Sequence, residues 1–74
     1  MWSTGTILIS GKVYKYMVKH YGKGSQYGIE EGKISKLFVT REDMIVLNYD
    51  RGWDVEPEDE GSVACFAILM KKYN

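Results

Sequence analysis

The sequence has only one cysteine, one histidine and one proline in 74 residues. A lone cysteine, Cys65, excludes a disulfide framework within the chain, and together with His20 it cannot supply the four ligands of a structural zinc site. Cys65 lies in the apolar run VACFAILM, where we expect a buried, unreactive thiol. The composition therefore predicts neither a metal nor another cofactor.

Long apolar runs and an export signal are also missing. No run approaches the ~20 apolar residues that a membrane-spanning helix requires. The first ten residues, MWSTGTILIS, lack the basic segment of a signal peptide. With a single cysteine, these features lead us to expect a cytoplasmic protein with no membrane partner.

An excess of charge of either sign is absent as well, because ten Lys and Arg balance ten Asp and Glu. Residues 1–51 carry eight basic against five acidic side chains, and residues 52–74 carry two against five. This mild asymmetry is unlike the dense basic stripe of nucleic-acid-binding proteins, so we do not expect a nucleic acid partner.

The length indicates one domain, 1–74, which is marginally stable unless a partner chain or an aromatic-rich core supports it. Period-two alternation predicts strands at TILIS (6–10), KVYKYMVKHY (12–21), KISKLFVT (33–40) and MIVLNY (44–49). Short turns between most of them favour antiparallel pairing of neighbours. We predict an α+β fold: an antiparallel meander of about four strands with one C-terminal helix packed on one face.

The helix is predicted from the last third of the chain. Pro57 and four acids, Glu56 and 58–60, precede the apolar run, and Lys71 and Lys72 follow it, which suits the helix dipole. One helical face would hold five residues: Val63, Phe66, Ala67, Met70 and Tyr73. A fully buried strand is the alternative for 62–73, since eight apolar residues do not settle the choice by period.

One helix covers only one face of a sheet. The face assigned to the core comprises Ile7, Ile9, Tyr14, Tyr16, Val18, Leu37, Val39, Ile45, Leu47 and Tyr49. The opposite face mixes apolar and basic side chains, and its interface candidates are Val13, Lys15, Met17, Lys19, Ile34, Phe38, Met44 and Val46. Such a mixture is typical of an interface, with a second copy or another protein, although lysine stems can also shield a modest apolar patch.

The stretch YDRGWD holds two residue types that are enriched at binding hot spots, Arg51 and Trp53. They are candidate binding residues, and the alternative is that Trp53 covers the core and Arg51 pairs with an acid. The glycine-rich GKGSQYG (22–28) lacks a phosphate-loop spacing and reads as a flexible loop. Its Lys23, Ser25 and Tyr27, with Lys36, are candidates for a small-ligand or nucleotide pocket.

Catalytic signatures are absent from the sequence. His20 has no nucleophile or carboxylate at a recognisable spacing. The acids at 56–60 lack the spacing of a calcium loop. We assign no catalytic or metal-binding residue and expect a non-enzymatic binding protein, the alternative being a small-ligand or nucleotide binder.

The segments GSQYGIEEGKISKL and YDRGWD resemble a family of small uncharacterised proteins of Gram-positive (Firmicutes) bacteria, their phages and mobile elements. The resemblance covers about residues 20–56. It implies no activity, cofactor or site residue. It implies a context: a short cytoplasmic accessory protein of a mobile element, of the kind that acts by binding, for example as an inhibitor.

Overall fold

The computed structural model describes residues 1–74 as one antiparallel sheet followed by a helix. The elements are β1 (Trp2–Ile9), β2 (Lys12–His20), β3 (Ile34–Arg41), β4 (Met44–Asp50), β5 (Trp53–Val55) and α1 (Glu60–Tyr73). Each strand pairs with its neighbour in the chain, in the order β1-β2-β3-β4-β5. The predicted α+β meander with a C-terminal helix is confirmed, with five strands rather than about four. None of the helical segments has the length and apolar character needed to cross a bilayer.

Two connections are two-residue turns in which both residues have positive φ. Ser10 and Gly11 (φ 50° and 79°) join β1 to β2, and Glu42 and Asp43 (φ 52° and 64°) join β3 to β4. Left-handed conformations at both positions match the twist of the flanking strands. These turns set the register that sorts side chains onto the two faces of the sheet.

The first strand is longer than the predicted 6–10, because it already begins at Trp2. Gly5 interrupts the apolar pattern there, but it lies directly opposite Tyr16 of β2. A Cβ atom on Gly5 would lie 2.7 Å from the Tyr16 hydroxyl. Glycine at this position makes room for a core tyrosine and does not end the strand.

The core lies between α1 and one face of the sheet. Its fully or almost fully buried apolar residues are Tyr14, Tyr16, Val18, Ile29, Ile34, Leu37, Val39, Leu47, Tyr49, Cys65 and Leu69. The helical prediction for 62–73 is confirmed. Its buried side is rotated from the predicted one, because Ser62, Cys65 and Leu69 face the sheet while Val63 and Ala67 are exposed.

The start of α1 is fixed by a side-chain cap. Asp59 is the N-cap, and its carboxylate accepts hydrogen bonds from the Ser62 hydroxyl (2.6 Å) and the Ser62 N–H (3.4 Å). This arrangement satisfies one of the free N–H groups of the first turn. Gly61 lies against the Tyr14 hydroxyl, in a space that a Cβ atom could not share. Gly61 has a low helix propensity, but its lack of a side chain allows α1 to approach the sheet closely.

Two β-bulges correct the face assignments made from the sequence. The pairing of β2 with β3 shifts between Lys19 and His20, which turns Ile34 into the core, where it is fully buried. The pairing of β3 with β4 shifts after Val39, so Val46 packs against the core and Ile45 is 49% exposed. The placement of Ile34 and Val46 on the outer face was wrong, and so was that of Ile45 in the core. A bulge adds one residue to a strand, so side chains on the two sides of the bulge no longer follow a single alternation between the faces of the sheet.

Candidate binding site

The face of the sheet opposite α1, called here the open face, is uncovered. It comprises Trp2, Thr4, Thr6 and Leu8 of β1, Val13, Lys15, Met17 and Lys19 of β2, Lys36, Phe38 and Thr40 of β3, Ile45, Asn48 and Asp50 of β4, and Val55 of β5. Four of the predicted interface residues, Val13, Lys15, Met17 and Phe38, are exposed here. Met44 is also exposed, at the turn between β3 and β4. The open face is therefore both apolar and basic, as the sequence predicted.

A row of polar and aromatic side chains crosses four strands at one end of the open face. Trp2 lies opposite Lys19, Lys19 opposite Lys36, and Lys36 opposite Asp50. The Lys36 ammonium lies 3.6 Å from the Asp50 carboxylate, and that of Lys19 lies 5.8 Å from the centre of the Trp2 ring. The direct opposition of two lysines on paired strands is unfavourable in the absence of an anion.

The two segments that stand out in the sequence meet beside this row. The β2–β3 connection, 21–33, includes a one-turn segment (Ile29–Glu31) in which Glu30 and Glu31 have positive φ (53° and 57°), and it contacts the β4–β5 corner. The Tyr49 hydroxyl donates to the Tyr27 carbonyl oxygen (3.0 Å), and the Arg51 N–H donates to the Ser35 carbonyl oxygen (3.2 Å). The Arg51 guanidinium lies over the Tyr27 ring, 4.3 Å from its centre. The glycine-rich stretch is thus a loop tied to the corner.

The same loop is held from the other side by the end of the chain. The Asn74 side-chain oxygen accepts from the Ile34 N–H (2.8 Å), and its amide nitrogen donates to the Ile29 carbonyl oxygen (3.2 Å). Within the loop, the Tyr27 N–H donates to the Ser25 hydroxyl (3.2 Å). These bonds fix the backbone of the loop and the Ser25 hydroxyl.

A concavity of about 370 Å³ lies between the loop, the corner and the lysine row. We call it the cationic pocket, and its lining residues are Lys19, Tyr21, Ser25, Tyr27, Ser35, Lys36 and Arg51. The Lys19 ammonium, beside the Tyr21 hydroxyl, lowers the pKa of that tyrosine, and the charge of Lys36 contributes to the shift. A lowered phenol pKa is the mark of a positive potential.

The cationic pocket gathers four of the six predicted binding residues: Arg51, Lys36, Ser25 and Tyr27. Lys23 does not line it. Trp53 lies on the helix side of the sheet, where its ring packs edge-on against Tyr49 (5.1 Å) and Phe66 (5.4 Å). Trp53 therefore helps to hold α1 against the sheet.

Sequence reasoning missed the contribution of Lys19, Tyr21 and Ser35 to the pocket. Lys19 was placed correctly on the open face, but only the strand register brings it opposite Lys36. Tyr21 and Ser35 carry no motif. Their one signal is position: Tyr21 directly follows β2 and Ser35 is the second residue of β3, on either side of the loop.

The other polar clusters are less suited to a ligand. The His20 imidazole is hydrogen-bonded to the Ser3 hydroxyl (3.0 Å) and packs on the Tyr73 ring (4.8 Å between centres). A larger concavity of about 480 Å³ lies by the turns at the opposite end of the sheet, where Glu42 and Asp43 accompany the basic residues. No group of three or more potential metal ligands is found. The cationic pocket is therefore the concavity whose lining has the clearest excess of positive charge.

Comparison with known proteins gives one match. Searches of curated proteins and of solved structures found no similar sequence or structure. A family model described as Domain of unknown function (DUF7678) matches residues 1–74. Since that match spans the whole chain, the protein belongs to this family of uncharacterised domains.

Proposed function

We propose that the protein is a non-enzymatic binding module that self-associates through its open face. The observation that carries the proposal is a connected apolar strip on that face. Met17 lies directly opposite Phe38 on paired strands, and the two are 44% and 36% exposed. Trp2, 51% exposed, joins them around a small cleft of about 100 Å³. Contiguous apolar surface of this kind is typical of interfaces.

Size adds a second reason for a partner. Only 14 of the 74 residues are buried, and a single core in so short a chain supplies little stability. A stable interface removes about 800 Å² from each partner, about a sixth of the total surface of 4890 Å². Covering the open face would bury the apolar strip that the helix leaves outside.

The distribution of charge favours a second copy of the chain as that partner. The open face carries three lysines, Lys15, Lys19 and Lys36, against one acid, Asp50. The segment 54–60, which leads from β5 into α1, carries five acids. In a two-fold arrangement each copy can offer its acidic segment to Lys15 of the other, which lies apart from the Lys19–Lys36 pair.

The biological setting belongs to the same proposal. The resemblance to small proteins of Firmicutes phages and mobile elements supports a cytoplasmic accessory role, with a protein target reached through the surface that remains free in the dimer. Genes of related function beside this one, in a phage or mobile element, are the observation to seek. A constant position among unrelated chromosomal genes would argue against this setting.

The oligomeric state tests the central claim. Light scattering after size exclusion, from low to high micromolar concentration, is expected to give twice the chain mass of 8.5 kDa. Phe38→Glu places a charge in the apolar strip and should give a folded monomer. The matched control is Ile68→Glu, at a similarly exposed apolar position on α1, which should remain dimeric. A wild-type monomer at high micromolar concentration, or a dimer lost only in Ile68→Glu, would contradict the proposal.

A further inference from the structure

Two of the three cations of the cationic pocket lack an acidic partner. Its three basic side chains are Lys19, Lys36 and Arg51, whereas the two ion pairs of the protein join Lys36 to Asp50 and Arg41 to Glu42. Lys19 and Arg51 therefore have no acidic partner. Since Lys19 lies directly opposite Lys36, an anion between them would turn a repulsive pair into a favourable one.

Arg51 lies in the turn between β4 and β5, and its side chain lines the pocket. Arg51 has a φ of 59°, in the left-handed region that glycine or asparagine occupies with less strain. The residue also sits next to Gly52, which supplies flexibility to the corner without a side chain. The planar five-donor group of Arg51 matches a phosphate.

Aromatic surface lies within the same pocket. Tyr21 and Tyr27 are each 48% exposed, and both rings line the concavity. The Arg51 guanidinium is stacked on Tyr27 (4.3 Å), and the Lys19 ammonium lies 5.7 Å from the centre of the Tyr21 ring. Rings next to cations are the arrangement by which proteins hold a nucleobase beside its phosphate.

We propose that the cationic pocket binds a nucleoside monophosphate, with the phosphate between Lys19, Lys36 and Arg51 and the base against the exposed tyrosine rings. The volume of about 370 Å³ lies at the lower end of the range for small-ligand sites, which suits a single nucleotide better than a dinucleotide. The hydrogen bonds from Tyr49 to the loop and from Arg51 to β3 fix the pocket in advance, so little conformational freedom is lost on binding. This site goes beyond the proposed self-association, because all its residues belong to one chain.

Calorimetric titration with four ligand classes tests the assignment: the four common ribonucleoside monophosphates, inorganic phosphate, the matching nucleosides, and a short single-stranded oligonucleotide. At least one monophosphate should bind more tightly than inorganic phosphate, and the nucleosides should bind much more weakly. Equal affinity for phosphate and monophosphates would overturn the role of the tyrosines. Binding of the oligonucleotide alone would overturn the mononucleotide as ligand, and no binding at millimolar concentration would overturn the site.

Charge-removing variants identify the residues. Lys19→Gln and Arg51→Gln should each weaken binding of the monophosphate by about tenfold, the loss expected for one charge-assisted hydrogen bond. Lys15→Gln is the matched control: it lies on the same strand and face but outside the pocket, so it should leave the affinity within about twofold. An equal loss in Lys15→Gln would show unspecific attraction and contradict the proposal.

Stability can be separated from binding in the same variants. Lys19→Gln removes one member of a like-charge pair, so its melting temperature should equal or exceed that of the wild type. A loss of binding in a protein that folds normally would then report the site itself. The oligomeric state is measured independently, so failure of the nucleotide site and failure of the dimer are distinguishable.

Discussion

The guanidinium of Arg51 lies over the ring of Tyr27, and this contact joins two segments that stand 24 positions apart in the chain. It closes one wall of the cationic pocket and anchors the long β2–β3 connection to the β4–β5 corner. Two hydrogen bonds accompany it, from the Tyr49 hydroxyl to the Tyr27 carbonyl oxygen and from the Arg51 N–H to the Ser35 carbonyl oxygen of β3. Loop and corner therefore form one unit, whose side chains can be tested together.

A double-mutant cycle measures the Arg51–Tyr27 contact. Arg51→Ala, Tyr27→Ala and the double variant should give a coupling free energy of about 0.5–1 kcal/mol in urea unfolding, as expected for a partly exposed cation–π pair. Lys23→Ala, in the same loop but outside the pocket, should change the free energy of unfolding by less than about 0.5 kcal/mol. Additive effects of the two single variants would mean that the contact contributes nothing.

The helix cap at Asp59 should make stability depend on pH in the acidic range. Hydrogen bonds from Ser62 lower the pKa of Asp59 from its ordinary 3.8. The folded state thus favours the carboxylate, and its contribution is complete above the unfolded pKa and is lost as the pH falls through the folded one. Asp59→Asn keeps a cap but cannot titrate, so its melting temperature should fall less than that of the wild type between pH 6 and about 2.

Asp59→Ala supplies the second comparison, because it removes the cap at every pH. Its melting temperature at neutral pH should be lower by about 5 °C. Circular dichroism melts of the three proteins at several pH values provide the measurement. Parallel curves for wild type and Asp59→Asn would contradict a titrating cap.

Cys65 should be protected as long as the protein is folded. Burial raises the pKa of its thiol to about 11, and the residue has no exposed surface. A thiol reagent at pH 8 should react slowly with the native protein and quickly in urea, because the thiolate is the reactive species. Val63→Cys adds an exposed thiol on the same helix and should give one fast and one slow reaction. Two fast reactions without denaturant would contradict the burial of Cys65.

The raised pKa of Cys65 should also make the free energy of unfolding fall at alkaline pH. A raised folded pKa means that the folded state favours the neutral thiol, so the contribution is complete below the unfolded pKa of 9.0 and is lost as the pH rises through about 11. Cys65→Ala should be less stable than the wild type at pH 7, and the difference should narrow above pH 9.

The strands and the helix could be predicted where a local sequence pattern specifies them. The apolar–polar alternation along 12–21 predicted β2. Pro57 with the acids before the apolar run, and Lys71 and Lys72 after it, predicted α1. The bulges were not predictable, because an inserted residue such as Ser35 or Val46 leaves the local alternation intact while reversing the faces beyond it. Ile34 and Ile45 were misplaced for this reason.

The candidate site was predictable in part for a related reason. Arg51, Lys36, Ser25 and Tyr27 were recognisable by residue type and by their place in or beside loops. Their proximity depends on how a 13-residue connection folds over a distant corner, which no local pattern specifies. Trp53 was named as a binding candidate because its residue type is common at interfaces, with covering of the core as the alternative. Its ring packs against the rings of Tyr49 and Phe66, as that alternative expects.

The plain order of the strands has a consequence for how the chain folds. Neighbouring strands pair with each other throughout, so contact order is low and most loop closures are short, which favours fast folding. The exception is the connection between β2 and β3, whose closure carries the largest entropic cost within the sheet. Residues on both sides of that closure build the cationic pocket. A ligand bound in this pocket would slow local unfolding of the β2–β3 connection, which joins β1 and β2 to the rest of the sheet.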